Sequence, residues 1–280
     1  MLHPLRRLFH LWRVYAYLDF LFMARSPGEV AWFYAADLIL SVTTAMSTLL
    51  LAERFQGIGP WTRDQIVFML GYAIVAGGLL QLGFGYNVLH ISRRLGRGQL
   101  DHTFIQPLPL WLALLTEGFV PFSGATELLP GLALMGWARA RLPIAWSPAW
   151  LAMLLVNLVA SATVQWSFNY AWGSLAFWAP RAAEEINSST TRLMDQLRPF
   201  PLDGAGPMLA GGLLSVLPAG FLAWYPCRAL LGLDGWPYAP AMTPLAALAT
   251  FTIALAIFTV GLRHYGRTGS QRYSTFGHRR

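Results

Sequence analysis

The sequence predicts an all-α integral membrane protein, and three observations carry that expectation. Of the 280 residues, 55% are hydrophobic and only 12% charged, whereas roughly a quarter of the residues of a soluble domain are charged. Apolar stretches near the ~20 residues needed for a membrane-crossing helix occupy most of the chain, and six can be delimited. Between the second and third stands an Arg-rich polar insert, Ile91 to Pro109, reading ISRRLGRGQLDHTFIQPLP.

Residues 2–25 place Leu5, Leu8, Phe9, Leu11, Trp12, Tyr15, Leu18 and Phe22 near helical spacing, with Arg6, Arg7, Arg13 and Asp19 interspersed. This predicts a helix lying in the membrane interface, apolar face down and arginines toward the headgroups. The segment has no uninterrupted apolar core followed by a small-residue cleavage site, so it is expected to stay in the mature chain. The first span is expected over about Val30 to Ala52 and the second over about Ile66 to Leu89. Gly71, Gly77, Gly78, Gly83 and Gly85 permit close helix approach in the second, which predicts a packed helix. The third apolar stretch, Leu108 to Ala138, measures about 45 Å if wholly helical. That exceeds the ~30 Å hydrocarbon core, so its first turns are expected at the interface.

The fourth span falls within about Pro148 to Trp178, followed by a polar segment from Arg181 to Gly206. The fifth is expected over about Met208 to Tyr225. Residues Pro226 to Met242 are too interrupted by glycine and proline to span and too apolar for a plain loop. They are expected as short re-entrant helices in the outer leaflet, tolerated where protein or water covers their backbone. The sixth span, about Thr243 to Leu262, carries no charge. The chain thus reads as a single transmembrane domain, with an interfacial helix over 1–29, six spans over 30–262 and a basic tail over 263–280.

The net charge of +7 comes from 20 arginines and no lysine. The arginines sit at the ends of apolar segments, where they set membrane orientation, so the charge does not argue for a nucleic-acid partner. With the N-terminus inside, 15 arginines fall on inner segments and five on outer ones, which predicts cytoplasmic N- and C-termini. Trp61, Trp146, Trp150 and Trp236 then fall at the outer interface, and Trp32, Trp111, Trp172 and Trp178 at the inner.

Reactive groups are not collected at one depth. His3, His10, His90, His102, His264 and His278 lie at termini or span ends, and neither an H-E-x-x-H nor a G-x-S-x-G pattern is present. A chain without lysine cannot hold the G-x-x-x-x-G-K-[ST] phosphate loop. The single cysteine, Cys227, excludes an internal disulfide. No metal or cofactor is therefore expected on this chain. Ionisable groups within apolar stretches are candidates for a pathway, and these are Asp37, Glu117, Glu127 and Arg228. Glu117 and Glu127 suit either the interface or a cation or proton site, and Asp37 suits either a cross-helix pair or the pathway. Asn157, Gln165 and Asn169 fall near one face of the fourth span, as polar glue between helices or as a pathway lining.

In the insert, Arg93, Arg94, Arg97 and Asp101 suit either a charged face on a short helix ending at the Pro107 and Pro109 break or a solvated, positive-inside loop. On the helical alternative, Leu95, Leu100 and Phe104 are available to pack into a partner's groove. At these residues the chain resembles the ABC-2 type permeases, in particular a branch of six-span export permeases. Members carry an Ile-x-x-Gly-Glu-Leu-Asp run followed by Arg-Pro-Leu-Pro, and here the matching residues are Arg97-Gly98-Gln99-Leu100-Asp101 and Gln106-Pro107-Leu108-Pro109. Gln99 and Gln106 stand where the family usually has Glu and Arg. Leu217-Pro218-Ala219, Tyr225-Pro226, Leu262-Arg263-His264-Tyr265 and Ser274-Thr275-Phe276-Gly277 add to the likeness, which runs nearly the whole length.

The resemblance implies the permease subunit of an ABC exporter in a bacterial plasma membrane. Two permease chains, alike or different, would sit over two ATPase subunits that hold ATP and Mg. It implies a coupling role for Arg93, Arg94, Arg97, Gly98, Gln99, Leu100, Asp101, Pro107 and Pro109, with the interfacial helix as their neighbour. The competing expectations are a secondary transporter working without an ATPase, which calls for inverted repeats and mid-bilayer charges, and a membrane scaffold.

Overall fold

The structure, a computed structural model, describes residues 4–54, 60–84, 91–116, 118–144 and 147–269. Helix α1 (Pro4–Arg25) is followed after one residue by α2 (Pro27–Arg54), whose first-turn proline gives up an N–H that has no helical partner there. Helix α3 (Arg63–Phe84) begins with a reciprocal cap. The Thr62 N–H donates to Gln65 Oε1 at 2.8 Å, and the Gln65 N–H points back to the Thr62 hydroxyl at 3.4 Å, so two otherwise orphaned donors are engaged.

The insert is two helices rather than one, α4 (Ile91–Gly96) and α5 (Gln99–Phe104). Gly98 at φ 67° and ψ 20° turns the chain between them, a left-handed conformation that costs any residue with a Cβ. The third apolar stretch is likewise divided, into α6 (Leu110–Thr116) and α7 (Pro121–Arg139). Pro121 starts the second piece because its ring fits a first turn and not a helix interior. Glu117 lies at the break, outside the described residues.

Helix α8 (Pro148–Ser174) is capped by the Ser147 hydroxyl, which accepts from Trp150 N–H at 3.1 Å, and it tightens into a 3-10 turn over Leu175–Phe177. The polar segment read as an inner connection is an 18-residue amphipathic helix, α9 (Pro180–Leu197). The expected fifth span is not one straight helix. Helix α10 (Gly206–Ser215) stops short of Pro218, and the chain resumes through a 3-10 turn (Pro218–Phe221) and α11 (Trp224–Leu230) after a 75° bend. The last helix, α12 (Ala239–Thr268), extends the sixth span at both ends.

Among the described residues, Arg63–Gly83, Pro148–Phe177 and Ala239–Thr268 are long and apolar enough to cross a membrane, and the bent pair makes a fourth if counted as one span. Helix α3 is the centre of the bundle and runs antiparallel to α7 at close range. A Cβ added to Gly71 would lie 2.6 Å from Met135 N, and one added to Gly124 2.6 Å from Leu82 Cα. Gly71 and Gly78 thus serve the close packing expected of them, whereas Gly83 faces open space. Helix α12 packs along α8. Helix α9 descends alongside α8 in the opposite direction, Asn187 lying near Gly173, Thr191 near Asn169 and Asp195 near Gln165. From Glu184, paired with Arg93 beyond one end of α3, the chain reaches Asp203, bonded to Trp61 just before the other. Residues 184–203 therefore traverse the height of the bundle.

Candidate functional site

The elbow of α4 and α5 has a buried face and an exposed one. Ile91, Leu95 and Leu100 are buried in a cluster with Tyr170, Phe177, Ala183 and Tyr265. Leu95 and Leu100, expected to be available to a partner, are thus taken up by the chain itself, because the turn at Gly98 folds both helices onto α8, α9 and α12. Polar bonds fix the same face. Arg93 Nε meets Glu184 Oε1 of α9 at 3.0 Å, and Asn187 Nδ2 of α9 lies 3.4 Å from Ser92 Oγ. The Tyr265 hydroxyl of α12 donates to Asp101 Oδ1, and its ring stacks on Phe104. Within the elbow, Arg94 donates to Thr103 Oγ1 at 3.3 Å and ties α4 to α5.

Arg97, Gln99, His102, Ile105, Gln106, Pro107 and Pro109 are exposed. Ile105 has 81% of its surface in the open, within a run from Phe104 to Pro107 that is exposed throughout. Phe104, 47% exposed, stands beside it. The return from the elbow is braced by α1, where Arg7 Nη2 donates to the Pro107 carbonyl at 3.3 Å and Trp12 Nε1 to the Leu115 carbonyl at 3.1 Å. The Asp19 carboxylate accepts from Phe122 N–H at 2.8 Å, which satisfies an orphan donor at the start of α7.

Beyond the elbow, a ladder of polar side chains joins α8 to its neighbours. Asn169 Oδ1 accepts from the Thr191 hydroxyl at 2.9 Å, and Gln165 donates to Asp195 at 2.8 Å while accepting from Arg198 at 2.9 Å. Asn157 Nδ2 donates to the Pro240 carbonyl at 3.2 Å. That carbonyl is the one Pro244 leaves without a helical donor four residues on, so Asn157 completes a ladder that the proline breaks. All three α8 amides are buried and bonded to elements packed against α8. Asp37 and Glu127 lie on α2 and α7, and their side chains fall outside the described residues.

At the far end, Arg228 forms ion pairs with Asp203 and Asp234, and Trp61 and Trp224 both donate to Asp203 Oδ2. This knot ties the segment before α3 to the bent pair. Of the groups that organise these sites, Glu184, Thr191, Asp195, Arg198, Asp203 and Ile105 were not anticipated. The signal for α9 was present in Ala183, Asn187 and Met194, its buried side, which recur at helical spacing.

Long apolar helices held together by buried amides, with a docked polar elbow at one end, define a multi-pass membrane protein. A model of the family described as ABC-2 family transporter protein matches residues 38–269, and the chain belongs to that family. Comparison with curated proteins and with solved structures gives no match. Membership makes the chain the transmembrane component of an ABC transporter and implies association with an ABC ATPase subunit.

Proposed function

We propose that the chain is one permease subunit of an ABC exporter in a bacterial plasma membrane, driven through the elbow at residues 91–107. The observation that carries this reading is the two-sidedness of the elbow. Its inner face is bonded to α9 and α12, while Arg97, Gln99, His102 and Ile105 stand free for a soluble partner. A push on the exposed face is transmitted through Arg93–Glu184 to α9 and through Asp101–Tyr265 to α12. ATP, with its Mg, binds and is hydrolysed on the partner. The work done there shifts the population between inward- and outward-open arrangements of the helices. The outward direction of transport follows from the resemblance to export permeases.

Six crossings are assigned to α2, α3, α7, α8, α9 and α12, with α10 and α11 as the outer re-entrant pair, α1 at the interface and both termini cytoplasmic. What supports α9 as the fifth crossing is its path from Arg93 to Trp61. It exposes Glu185, Ser189, Arg192 and Gln196, which recur every three to four residues and so form one seam. Such groups do not face hydrocarbon. The seam is assigned to the contact with a second permease chain and to the pathway between the two.

Cysteine cross-linking tests this directly, since the native Cys227 is buried. Ile105→Cys is expected to cross-link to the ATPase subunit in membranes and Ser189→Cys to a second permease. Cross-linking of the ATPase to other segments but never to position 105 or 97 would remove the elbow from the coupling path.

A further inference from the structure

Where α12 leaves its apolar run, the chain carries a basic recess that neither the elbow nor the polar ladder uses. Ala239 to Leu262 contains no charged residue, about 36 Å of helix. Arg263, His264 and Arg267 follow within five residues and, with Trp178 and Val260, line an open cavity of about 330 Å³. Arg263 and Arg267 are exposed, and neither has an acidic partner among the described residues. Trp178 stacks on His264 with ring centroids 5.6 Å apart, placing an amphipathic ring at the level where aromatics meet headgroups.

We infer that this recess is a binding site for an anionic phospholipid, its phosphate between Arg263 and Arg267 and an acyl chain along α12. Continuity of the helix face favours a lipid over a free phosphoanion. Ile253, Val260 and Arg267 are seven residues apart, close to two turns each, and so stack on one face, with Arg263 one turn below Arg267. Ile253 and Val260 are exposed apolar side chains that provide a track for a chain, which an inorganic ion does not need. Paired guanidiniums suit a phosphate through charge-assisted hydrogen bonds, and basic recesses beside membrane helices attract anionic headgroups. The same turn carries Tyr265, whose hydroxyl holds Asp101 of the elbow. A bound lipid therefore braces the end of the helix to which the elbow is tied.

The test uses the full-length chain purified in detergent and titrated with phosphatidylglycerol, phosphatidylcholine or glycerol phosphate, bound lipid being counted by native mass spectrometry. Phosphatidylglycerol is expected to bind more tightly than phosphatidylcholine. The Arg263→Gln/Arg267→Gln variant should weaken its binding about tenfold or more, and Arg263→Lys/Arg267→Lys should restore much of it. Equal binding of the two lipids, or an Arg263/Arg267 variant that binds like the parent while remaining helical and monodisperse, would overturn the assignment. Glycerol phosphate binding as tightly as the lipid would also overturn it, in favour of a free phosphoanion site.

Discussion

At Gly98 the backbone sits at φ 67°, and the elbow's two-sided character depends on that one torsion. Only with the turn in place do Leu95 and Leu100 both reach the buried cluster while Arg97 and Ile105 stay outside. Gly98→Ala should cost about 1–2 kcal/mol for the left-handed Cβ, and transport should fall further than the thermal stability of the purified chain. Gly71 limits a different contact. With backbone atoms of α7 at 2.6 and 2.9 Å from its virtual Cβ, Gly71→Leu forces the central helix pair apart. It is expected to abolish a monodisperse peak in size-exclusion chromatography, whereas Gly83→Leu, which meets open space, should leave the peak intact. Asn157→Leu strips the Pro240 carbonyl of its donor. An interhelical hydrogen bond in a membrane is worth about 1 kcal/mol, so a small fall in stability to denaturing detergent is expected.

At the scale of elements, the elbow is a lever pinned at two points, and the pins differ in kind. Arg93–Glu184 is part-exposed at 3.0 Å, and such a pair contributes at most about 1 kcal/mol to stability. Its weight is in register. Arg93→Glu and Glu184→Arg should each reduce ATP-driven transport with little change in melting temperature, and the charge-swapped double variant should recover much of the loss. Recovery no better than the sum of the single effects would separate this pair from coupling. Much of this architecture was legible from residue pattern. The N-terminal helix, the second, fourth and sixth apolar stretches and the position of the elbow all follow from hydropathy and arginine placement. What pattern did not show follows from physics that hydropathy averages away. Pro121, Pro218 and Gly98 set breaks by local sterics inside runs that remain apolar on average. Helix α9 was hidden for the opposite reason, since a helix with one polar face scores as a loop by mean hydropathy while its buried Ala183, Asn187 and Met194 pack on α8 and α4. Leu95 and Leu100 look like partner-facing residues until α9 and α12 are known to cover them.

At the scale of the whole molecule, the polar groups concentrate along one line. It begins at the exposed elbow tip, passes through Arg93–Glu184 and the α8–α9 amide ladder, and ends at the knot of Arg228, Asp203 and Asp234 that joins the segment before α3 to the bent pair. Three separate groups of polar contacts thus lie at successive heights of the bundle, between the elbow and the opposite end. Arg228→Leu leaves two carboxylates without their cation, so it should weaken the hold between the bent pair and α3. The expected readout is faster proteolysis of the segment around residues 231–238 in intact membranes facing the protease. Docking of an ATPase on the elbow's exposed face is tested by affinity purification of the tagged chain from its native membrane, with identification of what accompanies it. A P-loop ATPase and a second permease are expected with the parent chain, and loss of the ATPase but not of the second permease is expected with Ile105→Asp. Recovery of the chain without any ATPase, or an ATPase retained undiminished by the Ile105→Asp variant, would contradict it.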